Sequence, residues 1–138
     1  MIYDINDVFT PEISPIHKMT FSVATQLKLE DDELAAALLV GKIPAGKLLA
    51  AKTGTSIIAD PTKGASVTVT DGKAVGILAS DLKVRAGVKE YPIGVMISGE
   101  VYNDVMKQAN GDTEVSEANK TALEKQNILF YNVKTLGK

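Results

Sequence analysis

The sequence predicts a mainly β (α+β) fold: a small antiparallel β-sheet or barrel-like domain with one or two short helices and an extended N-terminal arm. Three observations lead there. Short apolar runs, several alternating with period two, recur at close spacing with Gly-rich turns between them. Only two stretches have helix character, "DDELAAALLV" (31–40) and "SEANKTALEKQ" (116–126). The run of β signals from 43 to 100 has no gap, which leaves no place for a domain boundary. The 138 residues suffice for one domain with its own core. With 5% aromatics and no Trp, that core must be built from Val, Ile, Leu and Ala.

Residues 1–18 read as an arm. Pro11 and Pro15 block regular ladder pairing. Ile2, Tyr3, Ile5, Val8 and Phe9 fit no clean helical face, yet a disordered tail is usually poor in such residues. They predict an arm that docks, on its own domain or on a partner, and Ile13 joins them as a docking residue. Residues 19–138 form the single β-rich domain.

Within that domain, "MTFSVATQLKL" (19–29) has strand character, with Phe21, Val23, Leu27 and Leu29 on odd positions. Residues 31–40 read as a short helix. Asp31 or Asp32 can cap it, its acidic first turn suits the helix dipole, and Gly41 stands where a left-handed C-cap belongs. A strand through 38–40 competes, because the element is short and apolar. "IPAGKLLAAKTG" (43–54) is a Pro/Gly turn feeding a strand at 48–52, and short β segments follow at 56–59 and 65–70. Asp71-Gly72 is the strongest hairpin signal, suited to a type I′ turn, with Val75, Ile77 and Leu78 on the returning strand. "DLKVRAG" (81–87) alternates again and turns at Ala86-Gly87. "EYPIGVMISGE" (90–100) puts Tyr91, Ile93, Val95 and Ile97 on one face, and Pro92 makes the start of this strand an edge. Residues 101–115 read as a turn-rich link, Ser116 as the N-cap of the second helix, and "NILFYNVKTL" (127–136) as the closing strand.

Candidate chemistry is sparse. A formal net charge of −2 argues against a phosphate-backbone binder. Without Cys there is no disulfide framework, thiolate chemistry or Cys-based zinc site. The leading residues lack the basic and apolar regions of a signal peptide, and no apolar run approaches a membrane span. "GKIPAGKL" (41–48) nearly matches a phosphate-binding loop, but Leu48 replaces the Ser/Thr that would hold Mg²⁺. It also follows a predicted helix and opens a predicted strand, the reverse of that motif's context, so it reads as a turn with two surface lysines. His17, the only histidine, has no sequence partner as base or ligand and reads as a surface residue. Glu30-Asp31-Asp32-Glu33 lacks calcium-loop spacing and reads as a solvated helix start. Asp60 and Asp71 sit in turns, where their side chains bond local backbone. No catalytic, cofactor-binding or metal residues are therefore expected, and no enzyme.

One pattern remains. "DGKAVGILASDL", then "GVMISGEVYNDVM", then "SEANKTALEKQ" and a final β strand resemble, in that order, the lambda-like head decoration proteins of tailed phages. The family's Asp-Gly turn corresponds to Asp71-Gly72 and its Ala-Val-Gly-Ile-Leu-like strand to Ala74–Leu78. Its Gly with an aromatic-acidic segment corresponds to 99–105, and its Lys/Glu/Thr-rich helix to 116–125. "IPAGKLLAAKTG" is similar to an earlier family segment in which a Pro/Gly turn opens a strand. The resemblance spans 43–136. Residues 1–42 depart from it, being longer and more apolar, with an extra helix.

The resemblance implies a virion structural protein, synthesised in the host cytoplasm. Such a protein binds the outer capsid surface of the expanded head as a homotrimer and stabilises it against internal DNA pressure. Its partner is the phage major capsid protein, with no direct nucleic acid and no membrane. The arm residues Ile2, Tyr3, Ile5, Val8, Phe9 and Ile13 would make the capsid contacts. The alternative is a head fibre base or a surface-displayed carbohydrate or host-recognition module.

Overall fold

The computed structural model describes residues 14–132. In chain order it contains β1 (Ile16–Lys28), α1 (Asp31–Val40), β2 (Lys42–Ile43), β3 (Leu48–Ala51), a 3₁₀ turn (Pro61–Lys63) and β4 (Ala65–Ser66). There follow β5 (Ala74–Leu78), β6 (Leu82–Lys83), β7 (Glu90–Tyr102), α2 (Asn103–Ala109), α3 (Glu117–Glu124) and β8 (Ile128–Tyr131). The fold is mainly β, as the sequence predicts. Strands β1-β4-β3-β5-β7 run in that spatial order, and β7 pairs back onto β1, closing a five-stranded barrel. Closure leaves those strands few open edges. β8 adds to the far side of β7 in parallel, while β2 and β6 form a separate two-stranded clip.

Period-two alternation on β7 builds the interior. Tyr91, Ile93, Val95 and Ile97 all point inward, where they meet Leu27, Leu29, Leu49 and Leu78. Ile57 and Leu34 join the same core from a loop and from α1. A second core lies on the outside of the barrel. Leu48, Ile77 and Met96 project outward from β3, β5 and β7, and Met106 of α2, Leu123 of α3 and Ile128 of β8 cover them. The central strands are thus buried on both faces, which explains the near-continuous apolar run in "AVGIL".

Several expectations hold locally. Gly41 takes a left-handed conformation at φ 94° and donates its N–H to Ala37 O at 2.8 Å. Residues 38–40 are helical, not strand. Ser116 caps α3, its Oγ accepting from the Asn119 N–H at 3.2 Å. The start of β7 pairs with β1 alone, in keeping with an edge at Pro92.

Others are corrected. Strand β1 starts at Ile16, not Met19, because β7 runs on to Tyr102 and offers partners as far as Val101. Phe21 does not share the buried face of Val23 and Leu27. Register shifts between Ile16 and Ser22 break the alternation there, and Phe21 is 52% exposed. The N-cap of α1 is Glu30, whose backbone N–H donates to Glu33 Oε1 at 2.7 Å, rather than Asp31 or Asp32. Residues 56–59 form no strand, because Ser56 Oγ accepts from the Ile58 and Ala59 N–H groups and curls the chain into a turn. Residues 101–115 contain a helix, α2, whose two turns are too short to print a periodicity and are held by buried Met106 and Ala109.

Asp71-Gly72 makes a turn but not a type I′ hairpin. Only Gly72 has positive φ, at 79°, and the turn closes with the Lys73 N–H on Thr70 O at 3.1 Å. The strands on either side, β4 and β5, both pair with β3, which lies between them. Buried Asn119 of α3 holds the turn, its Oδ1 accepting from the Gly72 N–H at 2.9 Å and the Ala74 N–H at 3.2 Å. Asn119→Ala should therefore strand two backbone donors and cost about 2 kcal/mol. Urea denaturation checks this: the midpoint should fall with the slope unchanged.

Candidate functional site

Beyond the barrel, the first half of β1 and the last part of β7 continue together and, with β8, make a three-stranded ribbon. The exit from the barrel is set by Gly99. Its φ of 150° suits glycine, and a Cβ there would lie 2.2 Å from Lys18 O. Past this point the alternation of β7 changes phase, so Val101 joins the outer core that Met96 already serves.

The ribbon has two unlike faces. Val101 and Ile128 are fully buried on one, with Ile16 and Phe130 packed against them. The register Glu100↔Leu129 and Tyr102↔Tyr131 places these four residues on the other. Leu129 is 43% exposed and Tyr131 38%. His17 lies on this face too: its Nδ1 is 2.7 Å from Tyr102 Oη, and its Nε2 is 3.9 Å from Glu100 Oε1. On β1, Met19 and Phe21 are each about half exposed. Along β8 the outer edge has no strand partner among the described residues. A short apolar edge of this kind is where a sheet accepts another chain. Pro15 O accepts the Tyr102 N–H at 2.8 Å, so the described chain begins and ends at the same end of the molecule.

A second exposed apolar surface lies at the end of α1. Leu39 and Val40 are 90% and 72% exposed, although this helix is apolar on most sides after its first turn. Helices of that pattern are normally covered.

The remaining sequence candidates fall as follows. The arm residues Ile2, Tyr3, Ile5, Val8, Phe9 and Ile13 lie outside the described residues. Gly41 caps α1, Lys42–Ile43 form β2, and the Gly46 and Lys47 N–H groups bond Leu78 O and Pro44 O, so 41–47 is a helix end, a short strand and a turn, in which Lys42 is exposed but Lys47 is half-buried rather than a surface lysine. The acidic run is engaged by lysines. Lys52 pairs with Glu30 and holds its carboxyl below the ordinary range, and Lys89 pairs with Asp31 at 2.6 Å. Thr68 donates its hydroxyl to Glu33. Asp60 accepts the Thr62 hydroxyl and, at 3.1 Å, the Thr62 N–H, as its turn position predicts. His17 is exposed, but it has partners in Tyr102 and Glu100, delivered by a strand far away in sequence. Sequence reasoning missed that grouping because nothing local marks it. It missed Asn119 for the same reason. Among the described residues, no group of three or more His, Asp or Glu is placed to hold a metal ion, and no helix is long and apolar enough to cross a membrane.

No known protein family, curated protein or solved structure matches this chain.

Asp81 anchors the loop between β2 and β3. Its carboxylate accepts the Ala45 N–H at 2.8 Å and pairs with Lys42 at 3.0 Å, and these contacts, the first before the second, hold its carboxyl below the usual aspartate range. A lowered folded pKa gives stability that is present above the unfolded value of about 3.9 and disappears as pH falls through the folded value. Because both side chains are about half exposed, the contribution at neutral pH is under ~1 kcal/mol. Asp81→Asn should lose it and flatten the acid limb of the stability curve, which thermal melts between neutral and strongly acidic pH would register.

Proposed function

We propose that this protein is a capsid decoration, or cement, protein of a tailed phage. It binds the outer surface of the expanded head as a homotrimer, contacts the major capsid protein, and stabilises the head against internal DNA pressure. The role is adhesive and not catalytic, and the protein works in the virion after synthesis in the host cytoplasm. The ordered motifs from 43 to 136 support this reading. The observation that carries it is the ribbon: exposed Met19, Phe21, Leu129 and Tyr131, a β8 edge with no strand partner among the described residues, and the first and last described residues gathered at one end.

The energetics suit a multivalent adhesive. Ordering about ten arm residues costs on the order of 10–20 kcal/mol. Burial of five of the apolar arm side chains returns roughly 7–15 kcal/mol, and each strand hydrogen bond adds ~1 kcal/mol. One arm therefore binds weakly. Three on a common body gain roughly 10²–10⁴ in avidity.

Co-sedimentation with expanded and unexpanded heads of the phage that encodes the protein tests the reading. Binding should be confined to expanded heads, with one trimer mass in solution. Leu129→Glu should weaken it by about tenfold or more, equivalent to ~1.4 kcal/mol, without lowering the melting temperature. Equal binding to both heads, or to neither, would contradict the proposal. One observation favours a second reading, a carbohydrate-recognition module: Tyr102 and Tyr131 are neighbours on the exposed face of the ribbon. A glycan-array signal abolished by Tyr131→Ala would favour it over the first.

A further inference from the structure

The exposed end of α1 belongs to a longer stripe. Asp32, Ala35, Ala36 and Leu39 follow the i, i+3, i+4, i+7 spacing of a single helix face, and all four are exposed. Exposed Val40 borders them. On the opposite side Leu34 and Ala37 pack into the barrel core. The stripe therefore has two small residues at its middle and a projecting Leu39 at one end. The alanines let a second helix approach closely.

The two ends of α1 carry opposite charge. At the start stand Glu30, Asp31, Asp32 and Glu33 against two lysines, Lys52 pairing with Glu30 and Lys89 with Asp31. Glu33 accepts the Thr68 hydroxyl. Among the described residues Asp32 has no ion-pair partner. At the other end Gly41 O accepts the Val84 N–H at 3.4 Å, and Lys42 is registered with Lys83. Lys42, Lys83 and Arg85 are exposed there against the one carboxylate of Asp81, which Lys42 engages. Among the described residues Lys83 and Arg85 have no ion-pair partner. Half-buried Lys47 lies along the flank of Glu33 and Ala37 instead.

We propose that α1 packs antiparallel against α1 of a second copy of this chain, across a two-fold axis, with Leu39 over the partner's Ala35 and Ala36. The stripe and the charges both fit that direction. Seating Leu39 opposite the partner's Ala36 seats Val40 opposite the partner's Ala35. It also brings Asp32 level with the partner's β2, where Lys83 stands. A two-fold contact uses the same patch twice, so each acidic end meets a basic end. A parallel pairing would set like charges together. One face of this ten-residue helix is about 15 Å long, and it buries well under the ~800 Å² per partner of a stable complex. The contact is therefore weak in dilute solution, and it joins whichever unit is stable there, a homotrimer included. Copies held side by side on a surface gain from it through their effective concentration. It needs only another copy of the chain, so loss of head binding would leave it standing.

Methyl NMR across a dilution series, from about 1 mM to about 10 μM, tests this. The Ala35, Ala36, Leu39 and Val40 methyl signals should move with concentration, while Ile77 and Met96 of the outer core stay fixed. Leu39→Asp should remove the movement without lowering the melting temperature, because this side chain is exposed. Asp32→Lys and Lys83→Asp should each weaken association by roughly threefold or more, and an equal mixture of the two variants should recover it. Signals that hold still on dilution would overturn the proposal and leave this face to a different protein. Movement that the substitutions do not change, or a mixture that shows no recovery, would contradict it as well.

Discussion

The pairing of β1 with β7 is the constraint on which the rest depends. Both strands are thirteen residues long, and they are registered from Ile16↔Val101 to Lys28↔Glu90. Over the half nearest Lys28 this pairing is the seam that closes the barrel. Over the other half the same two strands have left the barrel and form the ribbon. A single antiparallel contact therefore fixes both the rigid body and the surface that projects from it. The register shifts between Ile16 and Ser22, with Gly99 opposite Met19, mark the changeover. Bulges commonly serve this purpose where a sheet must bend or redirect its side chains.

What the sequence made legible follows from how local each signal is. The inward face of β7 could be read from alternation alone, because it needs only one strand and one core. Gly41 and Ser116 could be read because caps act over a few residues. The ring of β1-β4-β3-β5-β7 could not, since β3 slips between β4 and β5 and turns an apparent hairpin into two separate pairings. The turn at Asp71-Gly72 depends on Asn119, and a buried Asn on a helix carries no mark of the turn it holds. α2 was hidden because two helical turns stabilised by tertiary packing leave little pattern. Residues 16–18 read as arm in the sequence because their partners lie at 100 and 101, far along the chain. The His17, Tyr102 and Glu100 grouping was illegible for the same reason.

The exposed apolar residues are not scattered. Apart from Ile58 on the loop after β3, those that are large gather on the ribbon and at the end of α1. Exposed apolar residues gathered in this way on one small body mark contact with other chains. The absence of Cys and the single His leave little scope for thiol or histidine chemistry in the chain as a whole. Adhesion through several weak contacts on a closed barrel is consistent with both facts.

Hydrogen–deuterium exchange on the protein alone and bound to expanded heads tests the central claim most directly. The account predicts new protection at 16–22, 98–102 and 128–131. It predicts no change at 53–64, which lies against the opposite end of β1 through the Thr25–Pro61 contact. Protection gained at 53–64 with the ribbon still exchanging freely would contradict it.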